Sequence, residues 1–231
     1  MTEDTTPRRR ALLALALLAP VPSLGIWAAM VAAPGPVGHG VFLGAKLWLL
    51  VFPAAWYLLV EKGRPSWSPP RRGGMATGVL SGVILAAAIV LGAWLVDARH
   101  MDLAPLHAAV REMNLASPAA YLAGAAAWTL VNSLIEEYVY RWFVLRQCEA
   151  LLPPAVAVIA SAAIFTLHHV IALNQYLEPG FTALSSAGVF VGGIVWAALY
   201  YRYRSIWPGW ISHALADIAV FGLGGWLLFA G

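Results

Sequence analysis

Apolar positions along this chain run on in long unbroken stretches, and the polar residues gather in short clusters between them. Seven stretches can be bounded, at 11–33, 41–60, 75–96, 118–140, 154–173, 183–201 and 206–230. Each is close to the roughly 20 residues a helix needs to cross a bilayer. The pattern predicts an all-α, polytopic bundle of seven transmembrane helices. The first stretch follows Arg8-Arg9-Arg10 as a signal peptide would, but it runs well beyond the usual apolar core of about 7–15 residues and reads as an uncleaved span. Between the third and fourth stretches, Leu103 to Leu115 has the pattern of a short amphipathic helix lying on the outer membrane surface.

Composition agrees with this pattern: 61% of residues are hydrophobic and 11% charged, against roughly 45–50% and about 25% in soluble domains. A soluble globular fold is excluded. The net charge of +3 sits in small groups beside the spans and forms no basic stripe, which argues for topology signals and against a nucleic-acid partner. Counted on alternate sides, eleven basic residues (Arg8, Arg9, Arg10, Lys62, Arg64, Arg71, Arg72, Arg141, Arg146, Arg202, Arg204) face two (Arg99, Arg111), while Lys46 falls inside the second span. The N-terminus is therefore expected in the cytoplasm and the C-terminus outside. Cys148 is the single cysteine, so no internal disulfide or CxxC pair exists. Arg, Ala, Gly and Leu usage points to a GC-rich, prokaryotic coding sequence. Gly74, Gly78 and Gly82, and again Gly188 and Gly192, stand at spacings that let helices approach closely.

Ionisable groups inside spans cost at least about 2.5–3.5 kcal/mol each on insertion scales and need a partner or a function. Here they cluster: Glu136, Glu137 and Arg141 end the fourth span, His168 and His169 lie in the fifth, and His213 and Asp217 in the seventh. If the fourth and fifth spans turn back at Leu152, Glu136 lies 16 residues before the turn and His169 17 after it. Both then sit on the order of 25 Å from the turn and meet across the helix interface. Glu137 and Arg141, like His213 and Asp217, are spaced i, i+4 and share a helix face.

A carboxylate facing imidazoles is equipped to activate water, and a further histidine with a hydrogen-bonding neighbour can stabilise an oxyanion. The set Glu136, His169, His213 and Asp217 would equally make an O/N site for one divalent metal such as Zn²⁺. Spacing alone does not separate these chemistries. Asn132, one turn before Glu136, lines the same cavity or makes an interhelical bond. Tyr138, Tyr140 and Trp142 read as interfacial or packing aromatics, and His39, His100 and His107 as solvent-exposed.

These residues resemble the intramembrane endopeptidases of the CAAX-processing and bacteriocin-processing (CPBP, or ABI) family, whose pattern is Glu-Glu-x-x-x-Arg, then Phe-x-x-x-His, then His-x-x-x-Asn or Asp. The chain reads Glu136-Glu137-x-x-x-Arg141, Phe165-x-x-x-His169 and His213-x-x-x-Asp217, in order, over about residues 118–220. The resemblance implies that Glu136 is general base with His169 as its partner, and that His213 and position 217 form the oxyanion site. Glu137, Arg141, Phe165 and His168 are then supporting residues. Position 217 is Asp where Asn is common, and an ionised Asp cannot donate to an oxyanion; Asp217 must be protonated, accept from His213, or bind a metal. The family has been described both as metal-dependent and as glutamic, so the implied cofactor is either none or one divalent ion. Residues 1–117 then form an N-terminal membrane part and 118–231 a catalytic core. The implied partners are the bilayer and a membrane-anchored or lipid-associated protein or peptide cut near its C-terminus. From another class, a non-catalytic carrier or immunity scaffold would use the same buried cluster as a proton relay or binding site.

Overall fold

In the computed structural model the described residues are 6–230, and no strand occurs among them. Seven helices are long and apolar enough to cross a membrane: α1 (Thr6–Ala32), α2 (Pro36–Val60), α3 (Met75–Leu95), α5 (Pro118–Glu149), α6 (Pro154–Leu173), α7 (Pro179–Tyr203) and α8 (Ile206–Phe229). A short helix, α4 (Ala104–Glu112), occupies the segment expected to be amphipathic. Proline marks the starts: Pro36, Pro118, Pro154 and Pro179 each sit at the first turn, where a missing N–H costs nothing. Ser117 caps α5 by accepting from the Ala120 amide, and Ser205 caps α8 by accepting from Trp207.

The fourth span departs most from its expected bounds. Hydropathy falls at Glu136 and bounds the expected span at Tyr140, yet the helix continues to Glu149. It continues because the charged residues responsible for that fall are buried within the bundle: Glu137 and Arg141 are both 0% exposed. Two stretches of α5, Trp128–Asn132 and Glu137–Val144, are wound as wider i→i+5 turns that flank Glu136. Such turns are rare and concentrate at functional sites.

α5 is the central helix. Val139, Tyr140, Phe143, Val144 and Leu145 are buried against Leu18 of α1, Leu49 and Phe52 of α2, Phe165 of α6 and Trp196 of α7. Leucines such as Leu80, Leu122 and Leu167 point outward and are more than half exposed, as lipid-facing residues should be. α3 packs on α8 through glycine. A Cβ on Gly78 would strike the Pro208 carbonyl, and one on Gly82 would lie 2.8 Å from Ser212 Cα. The expectation for Gly188 is not met, since a Cβ there would meet open space; its place is taken by Gly193, which lies against Ala162 and Phe165. At the end where α5 turns into α6, Glu61 takes Arg146 (2.6 Å) and Gln147 (2.7 Å), and Arg204 makes two bonds to Glu149 (2.7 and 2.8 Å). Those bonds push the Arg204 guanidinium further above its ordinary value.

Candidate active site

The hairpin register holds. α5 and α6 are joined across Ala150 to Pro153, and Glu136, His168 and His169 offer one ligand atom each, all within 4.8 Å of one another. From α8, His213 Nε2 lies 3.6 Å from Glu136 Oε2 and 3.8 Å from Asp217 Oδ1. Glu136 is thus approached by His168 and His169 from α6 and by His213 from α8, with Asp217 beside His213; the tight ligand cluster contains His168 where the sequence suggested His213 and Asp217.

Each imidazole is oriented by its other nitrogen. His169 Nδ1 donates to the Phe165 carbonyl at 3.1 Å, so that nitrogen carries a proton and Nε2 presents the lone pair in the neutral ring. His168 Nδ1 bonds the Tyr140 hydroxyl at 3.1 Å, and the two rings stack. His213 Nδ1 meets Glu137 Oε1 at 3.1 Å, and the imidazole lies flat on Trp196, with centroids 3.7 Å apart and planes 13° from parallel. Trp196 is itself tied down, its indole N–H donating to Ser212 Oγ, which also accepts from Ser81.

Behind the histidines sits the Glu137–Arg141 pair, Nε to Oε1 at 3.4 Å. The guanidinium lies over Phe165 at 4.5 Å and over Trp196 at 5.4 Å. Its nitrogens lack hydrogen-bond acceptors, so ring faces and the Glu137 charge carry its stabilisation. Phe165 touches Arg141, His169 and His213 at once, a packing role that matches its expected one. Gly209 lets α8 close on the pair, since a Cβ there would stand 2.5 Å from Glu137 Oε2.

Three polar residues extend the set. Asn132 donates to Glu136 Oε1 at 2.8 Å and accepts from Lys46 Nζ at 2.7 Å. Tyr140, grouped with the interfacial or packing aromatics, is buried and bonded to His168. Lys46 was legible only as a lysine inside a span, and the insertion cost that flags the acids applies to it equally. Lys46, Glu136, Tyr140 and His168 line one cavity, together with Pro22 and Ile26 of α1 and Phe42 of α2. Of the outer histidines, His39 and His100 are exposed as expected, and His107 is partly covered.

The donor set of Glu136, His168 and His169, one oxygen and two nitrogens, is of the kind a divalent cation such as Zn²⁺ accepts.

Residues 118–219 match the family model described as type II CAAX prenyl endopeptidase, Rce1-like. This segment covers just under half of the chain and contains all three motifs, so over these residues the chain is similar to the CAAX-processing intramembrane endopeptidases. No curated protein and no solved structure matches the chain.

Proposed function

We propose that the protein is an intramembrane endopeptidase in which Glu136 activates water to hydrolyse a peptide bond near the C-terminus of a membrane-anchored protein or peptide. The observation that carries the reading is the meeting of Glu136 with His168 and His169 from α6 and His213 from α8, on the three family motifs. Residues 118–231 act as the catalytic core, and residues 1–117 supply the opposite wall of the cavity. The basic residues set the N-terminus in the cytoplasm and the C-terminus outside, which reporter fusions at the two ends would test.

The chemistry follows from the donors. Water held between Glu136 and the lone pair of His169 Nε2 gives a proton to the carboxylate as its oxygen attacks the carbonyl carbon. The carbonyl oxygen becomes an oxyanion and accepts from His213 Nε2–H when His213 carries both protons, a state that Glu137 and Asp217 beside the ring stabilise by their charge. Asp217 acts here as an acceptor oriented toward His213. Collapse of the tetrahedral intermediate breaks the C–N bond, and the proton on Glu136 passes to the departing amine.

The second reading is a metallopeptidase, favoured by the donor set itself. Glu136, His168 and His169 would hold the ion, which would supply Lewis-acid activation of water and carbonyl. Cleavage of co-expressed membrane-anchored substrates by wild type and Glu136→Ala, read by mass spectrometry of the membrane fraction, tests both. A product formed by wild type alone supports hydrolysis at Glu136, and equal product from both proteins refutes it.

A further inference from the structure

Lys46 stands apart from every other cation in the bundle interior. Arg141 is paired with Glu137, lies against the Phe165 ring and has no exposed surface, and it does not line the cavity. Lys46 lines the same cavity as Glu136, and the groups its ammonium touches directly are neutral: the Asn132 amide oxygen at 2.7 Å and the Phe42 ring at 5.6 Å. An ammonium has three donors, and Asn132 takes one. The Glu136 carboxylate acts on this ammonium only across the Asn132 amide, with no direct ion pair between them, and charged residues inside spans mark ligand paths. Lys46 also lies outside the segment that matches the endopeptidase family, so the motifs assign it nothing.

A peptide cut near its C-terminus brings a second costly group into the cavity, its own terminal carboxylate. That group needs a counter-charge, and Lys46 is the one lysine or arginine among the described residues lining the cavity. The Asn132 amide stands between the ammonium and Glu136 and occupies the Lys46 donor on that side. The two remaining N–H groups are free to take an anion away from the Glu136 charge.

We propose that Lys46 is the recognition site for the C-terminal carboxylate of the peptide hydrolysed at Glu136. The inference rests on the peptidase reading above. It makes α2, a helix outside the catalytic motifs, the element that distinguishes a chain end from an internal peptide bond.

The test uses the full chain in detergent and N-acylated, fluorophore-labelled apolar hexapeptides, each made as free acid and as C-terminal amide. Equilibrium binding is followed by fluorescence anisotropy, and cleavage is followed in parallel. Wild type is expected to bind the acid about tenfold more tightly than the amide, the size of one charge-assisted hydrogen bond. Lys46→Met should bind both forms alike, at the wild-type amide level, and Lys46→Arg should restore part of the preference. A purely structural role for Lys46 would instead weaken both forms equally in Lys46→Met. That result, or wild type showing no acid preference with any peptide, overturns the proposal. Because the wild-type comparison needs no variant, misfolding of Lys46→Met does not remove the test. Acid-selective binding without cleavage would uphold the Lys46 site and count against the peptidase reading. Cleavage of acid and amide alike would do the reverse.

Discussion

Trp196 and His213 lie face to face, one on α7 and one on α8, and neither ring is free to turn. The indole is fixed by its bond to Ser212 and the imidazole by its bond to Glu137. Since an oxyanion donor acts only when aimed at the developing charge, the stack should appear in the rate. An aromatic contact of this kind contributes about 0.5–1.5 kcal/mol. Trp196→Leu is expected to lower kcat roughly two- to tenfold, with a smaller loss in Trp196→Phe, as initial rates on a cleaved substrate would show.

Glu137 and Arg141 should be far more costly to lose singly than together. Removing one partner of a buried pair leaves an uncompensated charge, a loss of about 3–5 kcal/mol, whereas replacing both is often close to neutral. Glu137→Gln and Arg141→Met should each lower the thermal unfolding midpoint in detergent strongly, and the double variant should recover much of that stability. Activity should not recover with it, because His213 Nδ1 would still lack its carboxylate.

Gly209→Ala tests the same carboxylate by crowding. The added methyl would reach Glu137 Oε2 at 2.5 Å, and overpacking of this sort costs about 1–3 kcal/mol. Activity is expected to fall at least roughly tenfold as Glu137 shifts from His213. Gly188→Ala and Gly222→Ala, which face open space, should leave melting temperature and rate close to wild type.

Metal removal separates the two mechanisms. Glu136 Oε1 is already engaged by Asn132, and the Lys46 ammonium stands one amide away, so the charge that steadies an ionised Glu136 comes from the protein itself. Activity is therefore expected to survive prolonged dialysis against a chelator. Loss of activity, restored by Zn²⁺ in wild type with weaker affinity in His168→Asn, would establish the metallopeptidase reading instead.

The sequence was most informative where one number determines geometry. The position of the turn near Leu152 sets the depth of Glu136 against that of His169, and i, i+4 spacing sets Glu137 beside Arg141; both relations appear in the fold. The end of the fourth span is not legible from hydropathy, because a hydropathy fall looks the same whether charges meet water or one another. Tyr140 reads from sequence only as an interfacial or packing aromatic and Lys46 only as a lysine inside a span, because their partners lie 28 and 86 residues away, on helices whose rotation no local pattern reports. His168 was ambiguous for the opposite reason: it is adjacent to His169, and only tertiary packing shows that both turn toward Glu136.

The segment between α2 and α3 is stitched to the start of α8. The Ser68 carbonyl accepts from the Ser205 hydroxyl at 2.7 Å, Ser68 Oγ accepts from the Ile206 amide at 3.0 Å, and the Trp67 carbonyl accepts from the Trp207 indole at 3.0 Å. His213 lies two turns further along that helix, so this loop serves as the clasp that holds one wall of the site in register. An affinity tag or reporter domain spliced between Trp67 and Pro70 would open that clasp and disturb the site from a distance. The Met113–Ser117 connection, which makes no such stitch to α8, is the better place to carry foreign sequence.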